Sequence, residues 1–317
     1  MGSPLRLTLG DVASTSPADG PRAWQMVVES FEVSEAAMSR FRETSELTIL
    51  NRLAGTDVVS RPSVRLRRAF AASDRAHRIT GGRFDPRVLS DLDRLGYRGA
   101  ALPASGVADG SSARADRPGG RVLDRVGRDG VRVARPIDLG GIGKGLALRW
   151  AAAELARDGL TDFLLEAGGD LIACGLDPSA GPWLVGIGDP TGTIDHLAIF
   201  AVVDAAVATS SIQVHRWTVD GRVVHHLLDP RTGEPAEGGL LSVTVAGPDP
   251  AWAEVWSKVL FVGGRGAIAD EARSRGMAAW WVADDGTLEM TPDARARTVW
   301  VAAEDDPRHT SGERATP

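Results

Sequence analysis

The stretch Phe163-Leu-Leu-Glu-Ala-Gly-Gly-Asp-Leu-Ile-Ala-Cys174 decides the fold class. Two apolar runs of strand length are joined by Glu166-Ala-Gly-Gly-Asp170, a turn whose glycines permit a tight reversal. Strand-length runs follow at 183–187, 197–203, 206–209 and 224–228, again at hairpin-like spacings. Parallel strands need a long crossover between them, so short connections point to a mixed or antiparallel sheet with helices grouped around it, an α+β protein.

Outward from this core, Asp138-Leu-Gly-Gly-Ile-Gly-Lys-Gly145 opens an amphipathic helix over 146–158 that stops at Gly159. Three helices come earlier. Over 24–41, Met26, Val27, Phe31, Ala37, Met38 and Phe41 recur at three- and four-residue steps. Over 45–51, Ser45 can cap and Glu46 suits the first turn; over 63–80, a helix starts behind Pro62 and ends at Gly81-Gly82. The stretch 97–121, rich in Ala, Gly, Ser, Asp and Pro, reads as a solvent-exposed excursion, and 121–134 as a hairpin turning at 127–130. Downstream come a strand at 240–245, helices at 251–262 and 266–275, and strands at 278–283 and 296–301. The expected organisation is one domain over 1–303, of one or two lobes, with a flexible excursion near 98–121 and a disordered tail over 304–317.

Length and charge narrow the function. The 317 residues exceed any minimal binding module, and 36 basic against 42 acidic residues give a net charge of -6, too balanced for a general nucleic-acid or anionic-membrane binder. At 43% hydrophobic and 25% charged the chain can build a core. A single Cys174, in an apolar strand, excludes an internal disulfide or a thiolate-rich metal site and reads as a small core residue. No apolar stretch reaches the roughly 20 residues that span a bilayer. The first residues carry neither a signal-peptide pattern nor a lipoprotein cysteine, so a cytoplasmic location is expected, or an exported one had a leader preceded the sequence.

Four segments carry chemistry. In Asp138 to Gly145, four glycines in eight residues let the backbone approach a ligand, the following helix offers its N-terminus to an anion, and Lys144 adds a point charge. The spacing fits neither G-x-x-x-x-G-K-S/T nor G-x-G-x-x-G, and a tight turn touching no ligand is the alternative. In Glu166-Ala-Gly-Gly-Asp170 the carboxylates serve either a ligand or the turn itself. Thr80-Gly-Gly-Arg-Phe-Asp-Pro86 places Phe84 as an anchor and Asp85 before a proline. In His225-His226-Leu-Leu-Asp229-Pro-Arg-Thr-Gly233, strand alternation puts the two histidines on opposite faces, for acid-base work or ordinary structural use. No G-x-S-x-G, H-E-x-x-H or C-x-x-C occurs.

Together, Phe41-Arg-Glu-Thr-Ser-Glu-Leu-Thr-Ile-Leu-Asn51, Thr80 to Pro86, Leu95-Gly-Tyr97, Asp138 to Gly145, Glu166 to Asp170, Ala208-Thr-Ser210 and His226 to Gly233 resemble the FAD:protein FMN transferase family, the ApbE-like flavin transferases. The match runs from about residue 41 to 264. The resemblance implies that family's α+β fold, and an enzyme that binds FAD and, with magnesium, moves FMN to a threonine hydroxyl of an acceptor protein, releasing AMP. A homologue that only binds or regulates through flavin, and a FAD pyrophosphatase giving FMN and AMP, are the alternatives.

By motif, the resemblance assigns Asp138, Gly140, Gly141, Gly143 and Lys144 to the diphosphate region, with Asp138, Lys144 and His226 as catalytic groups. It assigns Glu166, Gly168, Gly169 and Asp170 to a flavin-binding turn. Ser45, Glu46 and Asn51 fall in an amino-terminal FAD-contacting element, and Phe84 and Asp85 in the adjoining wall. Thr209, Ser210 and Asp229 complete the contacts. Gly143 and Glu254 would hold the metal.

The sequence departs from the family where an Asp is followed four residues later by a Thr. Here Glu254 and Lys258 occupy those positions, and Ser211 stands where a glycine is usual. Protonated lysine cannot ligate a hard cation. Lys258 therefore either substitutes for part of the metal's charge or marks a site that only binds flavin. A plain surface pair with Glu254 is the third reading.

Overall fold

The computed structural model describes residues 4–10, 19–97, 122–213, 215–219 and 221–302. The excursion expected near 98–121 and the tail expected over 304–317 lie outside the described residues.

The hairpin over 163–174 is the one its sequence specifies. Phe163–Ala167 and Asp170–Cys174 pair antiparallel with Ala167 opposite Asp170. The two-residue link, Gly168 and Gly169, has φ of 59° and 90°, the left-handed geometry of a tight hairpin turn, which glycine adopts at little cost. Five more strands extend this pair into a seven-stranded sheet, in the order Leu5–Leu9, Phe163–Ala167, Asp170–Cys174, Ala205–Ser211, Leu240–Gly247, Ala278–Ala283 and Leu288–Met290. Every neighbouring pair is antiparallel.

Alternation along the strands supplies two cores. Val243, Val245, Ala279 and Trp281 face the helix Pro250–Gly263 and the amino-terminal helices, in a cluster with Val255, Val259 and Phe261. Ala246, Ala278, Trp280 and Val282 face the other way, onto a three-stranded sheet of Trp183–Gly188, His196–Val202 and Thr298–Val301. There Trp280, fully buried, stacks on Phe200 with ring centroids 4.1 Å apart, and its indole N–H donates to Thr298 Oγ1 at 3.0 Å. The sheet is thus covered by helices on one face and by a small sheet on the other.

The helices follow their caps. Ser45 Oγ accepts from the Thr48 N–H at 3.0 Å to start Glu46–Arg52, and Ser63 Oγ accepts from Leu66 at 3.3 Å to start Val64–Ile79. Asp249 caps Pro250–Gly263 by accepting from Ala251 and Trp252. Four differences from the sequence reading matter below. The helix expected from 146 begins earlier, at Gly143. A strand, Leu5–Leu9, pairs at the sheet edge where none was expected. A helix, Pro292–Arg297, occupies the start of the stretch expected to form the last strand, and Thr298–Val301 follows it. The strand expected over 224–228 is broken: Arg222–His225 ends one ladder, Leu228–Asp229 starts another, and His226 and Leu227 stand between them.

Candidate functional site

Where the hairpin over 163–174 turns, Asp170 starts its strand with a carboxylate that is almost fully buried. Its Oδ1 accepts the Thr209 N–H at 3.0 Å and its Oδ2 accepts from Lys144 Nζ at 2.5 Å. Burial alone would push the Lys144 ammonium toward neutrality, yet the charges of Asp170 and Glu254 outweigh it and raise its pKa to about 12. Lys144 is a fixed cation at every physiological pH.

The glycine-rich turn is organised by its own side chains. Asp138 Oδ1 accepts the Gly140 N–H at 2.8 Å, and the Leu139 carbonyl accepts from Ile142 at 3.1 Å and from Gly143 at 2.7 Å. Two residues on, the Gly145 N–H is taken by Glu254 Oε2 at 2.8 Å. Much of the helix N-terminus expected to cradle an anion is therefore occupied from within. Glu254, reaching across from Pro250–Gly263, caps the helix Gly143–Arg157 and places a carboxyl oxygen at its positive end. The glycines themselves have packing reasons. A Cβ on Gly145 would lie 2.4 Å from the Pro250 carbonyl oxygen, and one on Gly141 would lie 2.8 Å from the Phe84 ring.

Glu254 is 1% exposed, so it is not one half of a surface pair. Its second oxygen, Oε1, has no hydrogen-bond partner, and Lys258 Nζ stands 3.7 Å from it, one helical turn on. Burial holds the Glu254 pKa above the ordinary glutamate value, although Lys258 and Lys144 pull it down. The residues around this point do not suit a divalent cation. Both oxygens of Asp170 are engaged, Lys258 and Lys144 bring two positive charges, and among the described residues no three His, Cys, Asp or Glu side chains converge as a ligand set.

Beside this charge cluster opens a cleft lined by Asp138, Gly140, Gly141, Phe84, Asp85, His226 and Lys258, all expected from sequence, together with Arg40, Phe41, Arg83 and Tyr97. His226 lies where the ladder breaks. Its ring stacks on Tyr97 at 5.7 Å and meets His215 edge-on at 4.9 Å, and its Nδ1 is buried without a hydrogen-bond partner. Burial, followed by the charge of Lys258 and the neighbouring His215, holds its pKa well below the ordinary histidine value. His226 is a neutral imidazole at pH 7. His225 points elsewhere, edge-on to Phe261 at 6.0 Å; the two rings diverge as expected, but because the strand ends at His225 rather than by alternation along it.

The aromatic wall was missing from the sequence reading. Tyr97 is the only tyrosine in the chain; it stacks on Trp217 at 5.3 Å and lies under the Arg40 guanidinium, whose carbon is 4.9 Å from the ring centre. Arg40 also reaches Asp138 Oδ2 at 3.7 Å, and the Trp217 indole donates to the Leu95 carbonyl at 2.7 Å. Tyr97 and Phe41 occurred within the quoted motifs, but nothing local marked them as lining a cleft with residues more than a hundred positions later.

Several expected contacts are used inside the protein instead. Ser45 is a buried cap, and Glu46 Oε2 accepts the Ser63 N–H at 2.6 Å. Asn51 clasps Ile137 on both sides, donating to its carbonyl and accepting its N–H, each at 2.8 Å, which fixes the approach to Asp138. Of the three, Asn51 alone braces the glycine turn, while Ser45 and Glu46 tie helix starts. Ser210 Oγ pairs with Ser257 Oγ at 2.8 Å between sheet and helix, and exposed Thr209 pairs with Thr244 at 2.9 Å. Asp85 is held by Arg87, and Asp229 by Arg231, both at 2.8 Å. Glu166 sits in its strand between Arg6 and Leu171, and Gly168 and Gly169 form the exposed turn. Gly143 lies in the first turn of its helix, with its N–H on Leu139. Cys174 is half-buried, and burial pushes its thiol up to about 11, so it is an inert packing residue.

The sequence pattern of the ApbE family matches residues 1–281. The FAD:protein FMN transferase of Salmonella typhimurium is 30% identical over 191 residues, covering 58% of this chain and 54% of that protein. The one from Treponema pallidum is 30% identical over 265 residues, covering 76% of this chain and 71% of that protein. The chain spans about half the length of several curated relatives it matches. Among solved structures, the ApbE protein of Thermotoga maritima superposes with a TM-score of 0.77 at 24% identity, covering 93% of this chain and 99% of that one. The flavin transferase ApbE from Vibrio cholerae does so with a TM-score of 0.74 at 20% identity, covering 94% and 96%. At these identities the likeness is one of fold, and the fold is the α+β arrangement described above.

Proposed function

The chain belongs to the ApbE family, and from that premise we propose that it is a FAD:protein FMN transferase, moving FMN from FAD to a threonine hydroxyl of an acceptor protein and releasing AMP. The observation that carries the reading is the neutral His226 in one cleft with Lys258 and the glycine turn. Transfer of this kind needs alignment, charge neutralisation and a group to take the hydroxyl proton, and little else from the protein.

In the reaction, the threonine oxygen forms a bond to the phosphorus of the FMN half. The bond from that phosphorus to the bridging oxygen breaks, and AMP leaves with the oxygen. The hydroxyl proton passes to the His226 imidazole, which is unprotonated and free to accept it. Lys258 supplies positive charge at the cleft wall for the diphosphate, with Lys144 behind it on Asp170, while Phe41, Tyr97 and Phe84 offer apolar surface to the rings of the dinucleotide. Magnesium, which the family implies, would supply further neutralisation when bound, but the donors at Glu254 do not suit it and no step is assigned to it. Residues 1–303 act as one unit in this reading, supported by a single sheet that runs from Leu5–Leu9 to Leu288–Met290. The reading takes that unit to work in the cytoplasm on a protein acceptor.

The test is incubation with FAD and an acceptor peptide containing one threonine, followed by intact mass measurement. The reading expects the peptide to gain one FMN through phosphoester linkage at that threonine. An unlabelled peptide beside a protein that binds FAD would leave a flavin-binding homologue or a FAD pyrophosphatase as the answer.

A further inference from the structure

We propose that Lys258 is the built-in cation of this site: its ammonium, beside the orphaned Glu254 oxygen, stands where a divalent metal would meet the phosphates, so the diphosphate binds without one. The proposal deepens the FAD reading and rests on it for the identity of the diphosphate.

Three observations carry it. Glu254 is almost fully buried, with Oε2 satisfied by the Gly145 N–H and Oε1 satisfied by nothing. A buried carboxylate oxygen without a hydrogen bond is costly and calls for a cation close by. Lys258 Nζ, at 3.7 Å, is the cation in ion-pair range of that oxygen among the described residues, since Lys144 is committed to Asp170 at 2.5 Å.

The second observation is the path of the lysine stem. A Cβ on Gly141 would lie 3.2 Å from Lys258 Cδ and 3.5 Å from its Cε, so the stem runs directly over the glycine turn. The methylene groups are held against the turn and the ammonium is delivered into the cleft, which Lys258 lines together with His226 and Asp138. The third is charge. Lys144 and Lys258 already stand against the carboxyl groups of Asp170 and Glu254, so the cluster holds no excess negative charge for a metal to answer. A divalent ion would have to displace or repel an ammonium, whereas a phosphate oxygen can accept from it.

The experiment has two arms. In the first, FAD affinity is measured by flavin fluorescence with chelator and with magnesium. Wild type is expected to bind FAD equally in both. Lys258→Met, which keeps the stem and removes the charge, is expected to bind about ten- to hundredfold more weakly in chelator, the loss of one charged hydrogen bond. Lys258→Thr is expected to regain affinity when magnesium is added. In the second arm, manganese alone is titrated into each protein without flavin and free manganese is read by electron paramagnetic resonance. Wild type is expected to leave manganese free, and Lys258→Thr to take up one ion.

Wild-type FAD binding that collapses on chelation, or a wild-type protein that takes up one manganese ion, overturns the proposal. If wild type binds no FAD under either condition, the FAD reading fails, and the manganese arm still decides whether Lys258 holds the cation position. Circular dichroism melts of both variants establish that each is folded when tested.

Discussion

His225 and His226 are adjacent in the chain and have separate tasks because a strand ends between them. His225 packs edge-on against Phe261, and His226 turns into the cleft beside Tyr97 and His215. His226→Ala is therefore expected to cut FMN transfer by about 10²- to 10⁴-fold, the usual worth of a positioned general base, with FAD affinity little changed. His225→Ala should lower the melting temperature and leave the transfer rate of the folded protein near that of wild type. Transfer assays and thermal melts on both variants check the pair; loss of transfer in His225→Ala alone would reverse the assignment. Because the fold keeps His226 neutral, protonation of this residue should limit activity only below pH 6.5, the ordinary histidine value.

At the scale of elements, the crossing of Gly143–Arg157 with Pro250–Gly263 sets the site. Gly145 permits the contact, and Glu254 closes it by capping the first helix. Gly145→Ala forces a Cβ to within 2.5 Å of the Ala251 Cα and 2.4 Å of the Pro250 oxygen, so the helices must separate. The expected cost is about 1–3 kcal/mol, read by denaturant unfolding, with weaker FAD binding as Lys144 and Glu254 move. Unchanged stability would show that the helix pair tolerates the added methyl. Caps and hairpins were legible here because their causes are local: Ser45 and the Gly168-Gly169 turn each act within a few residues. The edge strand Leu5–Leu9 also alternates, but its partner lies more than 150 residues away, and pairing at that distance leaves no mark on the segment itself. The role of Gly145 was hidden for the same reason, since the glycine answers to Pro250 rather than to a ligand.

The whole molecule brings segments from 40 to 262 into one cleft, and that assembly was the least legible part of the site. Motif residues Asp138, Phe84 and His226 could be named in advance, whereas Arg40 and His215 acquire their meaning only when the sheet and helices set them around Tyr97. Assembly also leaves a trace in stability. Burial lowers the pKa values of His215, His225 and His226, so each takes its proton more readily in the unfolded chain. Below the ordinary value of about 6.5 the unfolded state binds more protons than the folded one, and stability falls with pH until the folded pKa values are passed. Melting temperature should be level with respect to these groups above pH 7 and should drop between pH 6.5 and 5, less steeply in His226→Asn. An equal slope in that variant would remove His226 from the account.

The most direct test of the central claim is a balance of products from one reaction containing the protein, FAD and a threonine peptide, with AMP, free FMN and flavinylated peptide separated by chromatography. The account predicts AMP and flavinylated peptide in equal amounts, rising together and lost together in His226→Ala. AMP matched by free FMN, with the peptide unmodified, would contradict it and make the chain a hydrolase of FAD.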